Sequence, residues 1–92
     1  MPKNVGRVGV DAVDGTGILI TPLVPNVWVN GEPIAVAGTK VVPHLSGQHK
    51  NPANVMMTGS PNVFAGGKPV CGTTDLATCG GFLKSTSTVF VN

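Results

Sequence analysis

Short apolar runs that end in turn-forming pairs recur along this chain. Val27-Trp28-Val29 leads into Asn30-Gly31, and Val63-Phe64-Ala65 leads into Gly66-Gly67. Asn-Gly and Gly-Gly are the pairs best suited to the two left-handed positions of a tight hairpin turn. An extended segment follows each pair: Pro33-Ile34-Ala35-Val36-Ala37-Gly38-Thr39 after the first, Pro69-Val70-Cys71-Gly72-Thr73-Thr74-Asp75 after the second. Turn-like stretches precede both, at Thr21-Pro22-Leu23-Val24-Pro25 and Thr58-Gly59-Ser60-Pro61. The pattern predicts two β-hairpins built from one phrase.

A third copy of that phrase is split between the chain ends. Val89-Phe90-Val91 follows Lys84-Ser85-Thr86-Ser87, and Asn4-Val5-Gly6-Arg7-Val8-Gly9-Val10 matches the segment after the turn. The termini are therefore expected to meet, with Val89 to Asn92 beside Val5 to Val8, and complete a third hairpin. A lone two-stranded ribbon is marginal in water, but three ribbons can share one core of Val, Ile and Phe. Closing the ring also removes exposed strand edges. The predicted fold is all-β: one small domain over residues 1–92, made of three hairpin repeats in a pseudo-three-fold arrangement closed by the two termini. Trp28, Phe64 and Phe90 read as packing positions in it, and so does Cys71.

Composition supports this class. Thirteen glycines and eight prolines in 92 residues nearly exclude long helices. The apolar content, 41% with Val far ahead of Ile and Leu, together with only 11% charged residues, is wrong for a disordered chain. The net charge is +2, and Lys3, Arg7, Lys40, Lys50, Lys68 and Lys84 are scattered. No basic stripe or stacking surface for nucleic acid is visible. The N-terminal MPKNVGRVGV has no apolar run long enough for a signal peptide, and no stretch approaches a membrane span. Two cysteines imply no disulfide framework, so a reduced compartment is expected.

Three connectors of unequal length join the repeats, and they hold most of the chemistry. Asp14 lies in the first, His44 and His49 in the second, and Cys79 in the third. A three-fold arrangement brings the connectors together at one end. There, His44, His49, Cys79 and Asp14 form a candidate four-donor site for zinc or another transition metal, which would staple a thin core. The same residues allow two other readings: ordinary loop histidines with a free buried thiol, or a Cys79-His nucleophile pair. No third catalytic member and no phosphate-binding loop is visible, so the chain reads as a non-enzyme without a small-molecule substrate.

The phrases PNVWVNGEPIAVAGT and SPNVFAGGKPVCGTTD resemble the repeat of the PAAR-repeat proteins, the spike-tip proteins of phage tails and type VI secretion systems. The naming motif, Pro-Ala-Ala-Arg followed after one residue by Gly-Asp, is partly kept. Arg7 stands at the Arg place of the N-terminal copy, with Val36 and Gly72 in the others. Asp75 keeps the final Asp, where the other copies have Val10 and Thr39. The resemblance implies a small cone with an apical metal ion, usually zinc, held by three histidines and a cysteine. His44, His49 and Cys79 match three of those ligands, and Asp14 stands where the family has its remaining histidine.

It also implies a structural role: capping and sharpening a trimeric β-helical, membrane-piercing spike, one copy per trimer. A monomer that caps a trimer is expected to be pseudo-three-fold itself. The hairpin ends, including Asn30, Gly31, Gly66 and Gly67, are then the candidate spike-binding base. The target membrane would be touched transiently. The expected location is a virion tail tip, or the cytoplasm before export on a secretion spike. A free-standing metal-binding module that recognises another protein is the alternative.

Overall fold

The computed structural model describes residues 3–45 and 47–91, with Gln48 by its backbone alone. Its strands are β1 (Lys3–Asn4), β2 (Ala12–Val13), β3 (Gly17–Ile20), β4 (Trp28–Val29), β5 (Glu32–Pro33) and β6 (Lys40–Val41). After a 3-10 turn at Gly47–Lys50 come β7 (Phe64–Ala65), β8 (Lys68–Pro69), β9 (Leu83–Lys84) and β10 (Phe90–Val91). The fold is compact and essentially all-β, with a radius of gyration of 11.5 Å.

Three antiparallel ribbons carry the repeated phrase in one register. Trp28 faces Pro33 in β4–β5, Phe64 faces Pro69 in β7–β8, and Phe90 faces Asn4 in β10–β1. The turns are as the residue types demand: Asn30 and Gly31 have φ of 48° and 83°, Gly66 and Gly67 of 58° and 80°. The terminal ribbon is centred on Lys3 and Asn4 rather than on Val5 to Val8. Val5 donates its N–H to the Val89 carbonyl at 2.8 Å, and the chain beyond it leaves to pair elsewhere. Asn92, expected in this ribbon, lies outside the described residues.

The aromatic positions correct the expectation that they pack inside. Trp28, Phe64 and Phe90 are 60%, 57% and 57% exposed, while their neighbours Val29 and Ala65 are buried and Val91 is half-buried against the core. Successive strand residues point to opposite faces. The space between the ribbons is filled by Val and Ala, and the larger ring of each pair turns outward.

Residues just past the ribbons link all three together. The Gly6 N–H donates to the Cys71 carbonyl (2.8 Å), Cys71 to Ala35 (2.9 Å), and Ala35 back to Gly6 (3.0 Å), so the ring of hydrogen bonds closes. A second circuit runs from Val8 to Pro33, Ala37 to Pro69 and Thr73 to Asn4, at 2.8–2.9 Å. The ring is crowded, which explains its small residues: a Cβ on Gly6 would sit 2.7 Å from Leu83 Cδ2 and 3.2 Å from the Ala35 Cβ.

The connectors, to which the sequence assigns no secondary structure, are hairpins in their own right. Each folds back on itself: Val13 faces Gly17 in β2–β3, Lys40 bridges Val55, and Leu76 bridges Phe82. These hairpins also pair with one another, Val13 with Leu83, Leu19 with Val41, and Met56 with Ala77. Leu19, Met56 and Leu83, the largest fully buried side chains, occupy matching places. Each carbonyl accepts from a left-handed residue, Gly9, Gly38 or Thr74, at 2.7–2.9 Å. The core correspondingly divides in two: Val29, Ile34, Ala65 and Val70 between the ribbons, and Val13, Leu19, Met56, Cys79 and Leu83 between the connectors.

Buried polar side chains lock the bends where phrase passes into connector. Asp75 accepts the Gly72 N–H (2.7 Å) and the Thr58 hydroxyl (3.0 Å), and pairs with Lys3 Nζ at 2.6 Å. Thr39 Oγ1 accepts the matching Val36 N–H at 3.2 Å. In the first unit Asp11 takes this place, accepting the Arg7 N–H (2.8 Å), a two-pronged contact from its guanidinium, and the Ser85 hydroxyl (2.7 Å). Aligning Val10 with Asp75 is therefore off by one residue; Val10 is 48% exposed, and the first bend is one residue longer.

Candidate metal centre

The three connector hairpins carry unlike turns. Asp14 opens the β2–β3 turn with φ 56°, Cys79 sits in the middle of the turn between Ala77 and Gly81, and both histidines lie in the long loop after β6. His49 falls on the 3-10 turn, and its carbonyl accepts the His44 N–H at 2.9 Å, which closes the loop and holds the two imidazoles together. Their ring centroids lie 5.2 Å apart, inclined by 60°.

All four expected donors come together: one donor atom from each of Asp14, His44, His49 and Cys79 lies within 4.8 Å of every other. Asp14 Oδ2 is 3.4 Å from His44 Nε2 and 3.2 Å from His49 Nδ1. Cys79 is buried in the connector core, His44 is buried, His49 is half-buried and Asp14 is on the open side.

Three observations bear on whether these residues suit a metal ion. His44 Nδ1 lies 2.9 Å from the Val42 carbonyl. A carbonyl only accepts, so Nδ1 carries a proton and Nε2 is the nitrogen that faces the cluster; such outer hydrogen bonds typically orient metal-binding imidazoles. His49 Nδ1 is buried and makes no hydrogen bond, although Asp14 Oδ2 lies 3.2 Å away. A buried nitrogen left without a partner is costly, and a cation supplies one. Finally, carboxylate, imidazole and thiolate together match a tetrahedral transition-metal site, whose bonds of roughly 2.0–2.3 Å need only small inward movements of these donors.

Sequence reasoning missed Val42, Gly17 and Gly81 at this site. A Cβ on Gly81 would overlap the Asp14 carboxylate, and one on Gly17 would overlap the His44 ring. The spacing of Gly17 from Asp14 and of Gly81 from Thr78, three residues in both hairpins, was the available signal. The remaining expected site residues, Asn30, Gly31, Gly66 and Gly67, form the exposed turns of two ribbons. Asn30 also receives the Thr88 N–H at 2.9 Å, which ties its turn to the approach to β10.

Cys71 stands apart from the cluster. Burial, aided by the Asp75 charge and partly offset by Lys3, pushes its thiol up to about 12, and it lies 3.1 Å from the Thr58 carbonyl. It is a packing residue, as its place in the repeat suggests.

The architecture and the cluster define a small all-β protein whose connectors converge on a set of four metal-capable side chains. The profile of the PAAR motif family matches residues 11–85, and the chain belongs to that family. The family is one of structural spike-tip modules, not of enzymes. No curated protein matches the chain.

Proposed function

We propose that this protein caps and sharpens the tip of a trimeric β-helical spike in a contractile injection machine, a phage tail or a type VI secretion system. Family membership places it among spike-tip modules, and one observation carries the reading further. The three ribbons share one register and each turns an aromatic residue outward, so Trp28, Phe64 and Phe90 offer three like contacts to a partner with three like chains. The closed hydrogen-bond ring supports a pseudo-three-fold cone, and the two-part core supports a base at the ribbons and an apex at the connectors. A monomer matches a trimer most simply through such internal repetition.

At the apex, His44, His49, Cys79 and Asp14 would hold one zinc ion. Bound there, the ion would supply no reaction; it would cross-link the turns of the three connectors beyond their shared core. His44 is aimed by Val42, Cys79 is anchored in the core, and Asp14 closes the open side. At the base, the exposed aromatic residues and the turns at Asn30-Gly31 and Gly66-Gly67 would dock on the blunt end of the spike. The protein would travel on a virion tail tip, or from the cytoplasm on a secretion spike, and meet the target membrane only transiently.

The test is to mix the protein with a trimeric β-helical spike fragment from a candidate machine, and to read stoichiometry by light scattering and metal content by elemental analysis. One copy per trimer with about one zinc ion is expected, and Trp28→Ala combined with Phe64→Ala should weaken the complex at least tenfold. A metal-loaded monomer that ignores its cognate spike would instead favour a free-standing metal-binding module.

A further inference from the structure

We infer that Gly17 and Gly81 are positioning residues of this metal centre: Gly17 seats the His44 ring and Gly81 admits the Asp14 carboxylate. The inference rests on the metal reading above and concerns how the four-donor set is made possible.

The two glycines stand at the same step of two connector hairpins. Gly17 faces Val13 across β2–β3, and the Gly81 carbonyl accepts the Ala77 N–H at 2.9 Å. Neither has a left-handed backbone, so conformation does not demand glycine at either place. Space does. A Cβ on Gly17 would lie 2.6 Å from His44 Cε1 and 2.9 Å from its Cγ. One on Gly81 would overlap the Asp14 carboxylate, with Val13 Cγ1 at 2.6 Å. The third hairpin has buried Asn54 at this step, where its carbonyl accepts the Val41 N–H, and it is the hairpin whose long loop supplies both histidines.

The two overlaps have different outcomes because the displaced side chains differ in freedom. His44 is buried and held by the Val42 carbonyl, so a Cβ at residue 17 must tilt the ring and turn Nε2 out of the cluster. Asp14 sits on an exposed turn and can swing away. A Cβ at residue 81 therefore expels the carboxylate, reducing four donors to three, and the buried Val13 side chain must give way beside it. Gly81 is thus the residue that decides whether an oxygen donor joins the two imidazoles and the thiolate.

Cobalt(II) is the probe, because its visible bands report coordination directly and chelator competition gives its affinity. The native protein, Asp14→Ala, Gly81→Ala and the double variant are compared, with thermal melting of the metal-free forms as the control for folding. Gly81→Ala is expected to lose about 10–100-fold in cobalt affinity, as outer residues of metal sites do. Its visible spectrum should match that of Asp14→Ala, and the double variant should bind no more weakly than either single one. Native affinity in Gly81→Ala, or losses that add in the double variant, would overturn the inference while leaving the metal centre intact. Native protein that binds no cobalt would overturn the metal reading itself. Should Gly81→Ala fail to fold, the comparison is repeated on a Val13→Ala background, which removes the second overlap: folding recovered there by Asp14→Ala supports the overlap with the carboxylate, and continued failure refutes it.

Discussion

Thr74 is held at φ 79°, a conformation that L-residues with branched side chains rarely adopt, where the two matching bends have Gly9 at 91° and Gly38 at 96°. Its N–H is committed to the Leu83 carbonyl at 2.9 Å, so the backbone cannot relax without losing that bond. Thr74→Gly should remove the strain and, after the greater entropy of the unfolded chain is allowed for, raise stability by about 0.5–1 kcal/mol in a denaturant titration. Two buried titratable groups set opposite pH limits. Cys71 keeps its proton up to about 12 in the fold, because of burial first and the Asp75 charge second, whereas an unfolded thiol releases it near ~8.5. Its contribution is therefore fully present below the unfolded value and is lost as pH rises from there toward about 12. Cys71→Ala should flatten that alkaline decline in melting temperature. Asp11 acts in the other direction: burial would raise its pKa, but the Arg7 guanidinium and N–H and the Ser85 hydroxyl outweigh that and hold it below the usual carboxylate range. Its stabilisation is present above ~4 and lost as pH falls through the lowered folded value. Asp11→Asn should lower the melting temperature at neutral pH and shrink the acid-side loss.

The ribbons and the connectors differ in how far their sequences disclose them. A ribbon announces itself through its turn, and the Gly67 position shows why: φ is 80° and a Cβ there would meet nothing within 4 Å. Gly67→Ala should therefore cost about 1 kcal/mol for conformation alone, whereas D-alanine, introduced by chemical synthesis, should cost nothing, which a pair of melting curves would separate. Turn chemistry of this kind, with the aligned Val-aromatic pairs, made the registers of Trp28 with Pro33 and Phe64 with Pro69 legible before any coordinates. Alternation alone could not say which side of a two-residue strand faces the core, so the outward turn of the three aromatics was hidden. In the connectors the buried residues stand singly, at Val13, Leu19, Val41, Met56, Ala77 and Leu83, across loops of unequal length. Burial alternates without a break from Asp75 to Ser87, but its buried places include Asp75, Gly81, Ser85 and Ser87 while Phe82 is exposed, so hydrophobicity does not record the period and this second set of hairpins stayed illegible. The convergence of Asp14, His44, His49 and Cys79 was legible because it needs only that the connectors end together. The clearance at Gly17 and Gly81 depends on ångström-scale approach, which residue types do not record.

For the whole molecule, β1 pairs with β10, Lys3 opposite Val91, so the first and last described strands close one ribbon. A permuted chain opened between Gly66 and Gly67, with residues 92 and 1 joined by a short glycine linker, should fold to the same hydrogen-bond ring. Amide-exchange protection at Gly6, Ala35 and Cys71 would verify it, and its stability should stay within about 2 kcal/mol of the original. The ring has a further consequence for how the molecule fails under load. An open sheet tears from its edge, one rung after another, each rupture exposing the next. Here Gly6, Ala35 and Cys71 each hold the next in a loop with no outermost rung, so a tear has nowhere to start and the three strands must part together.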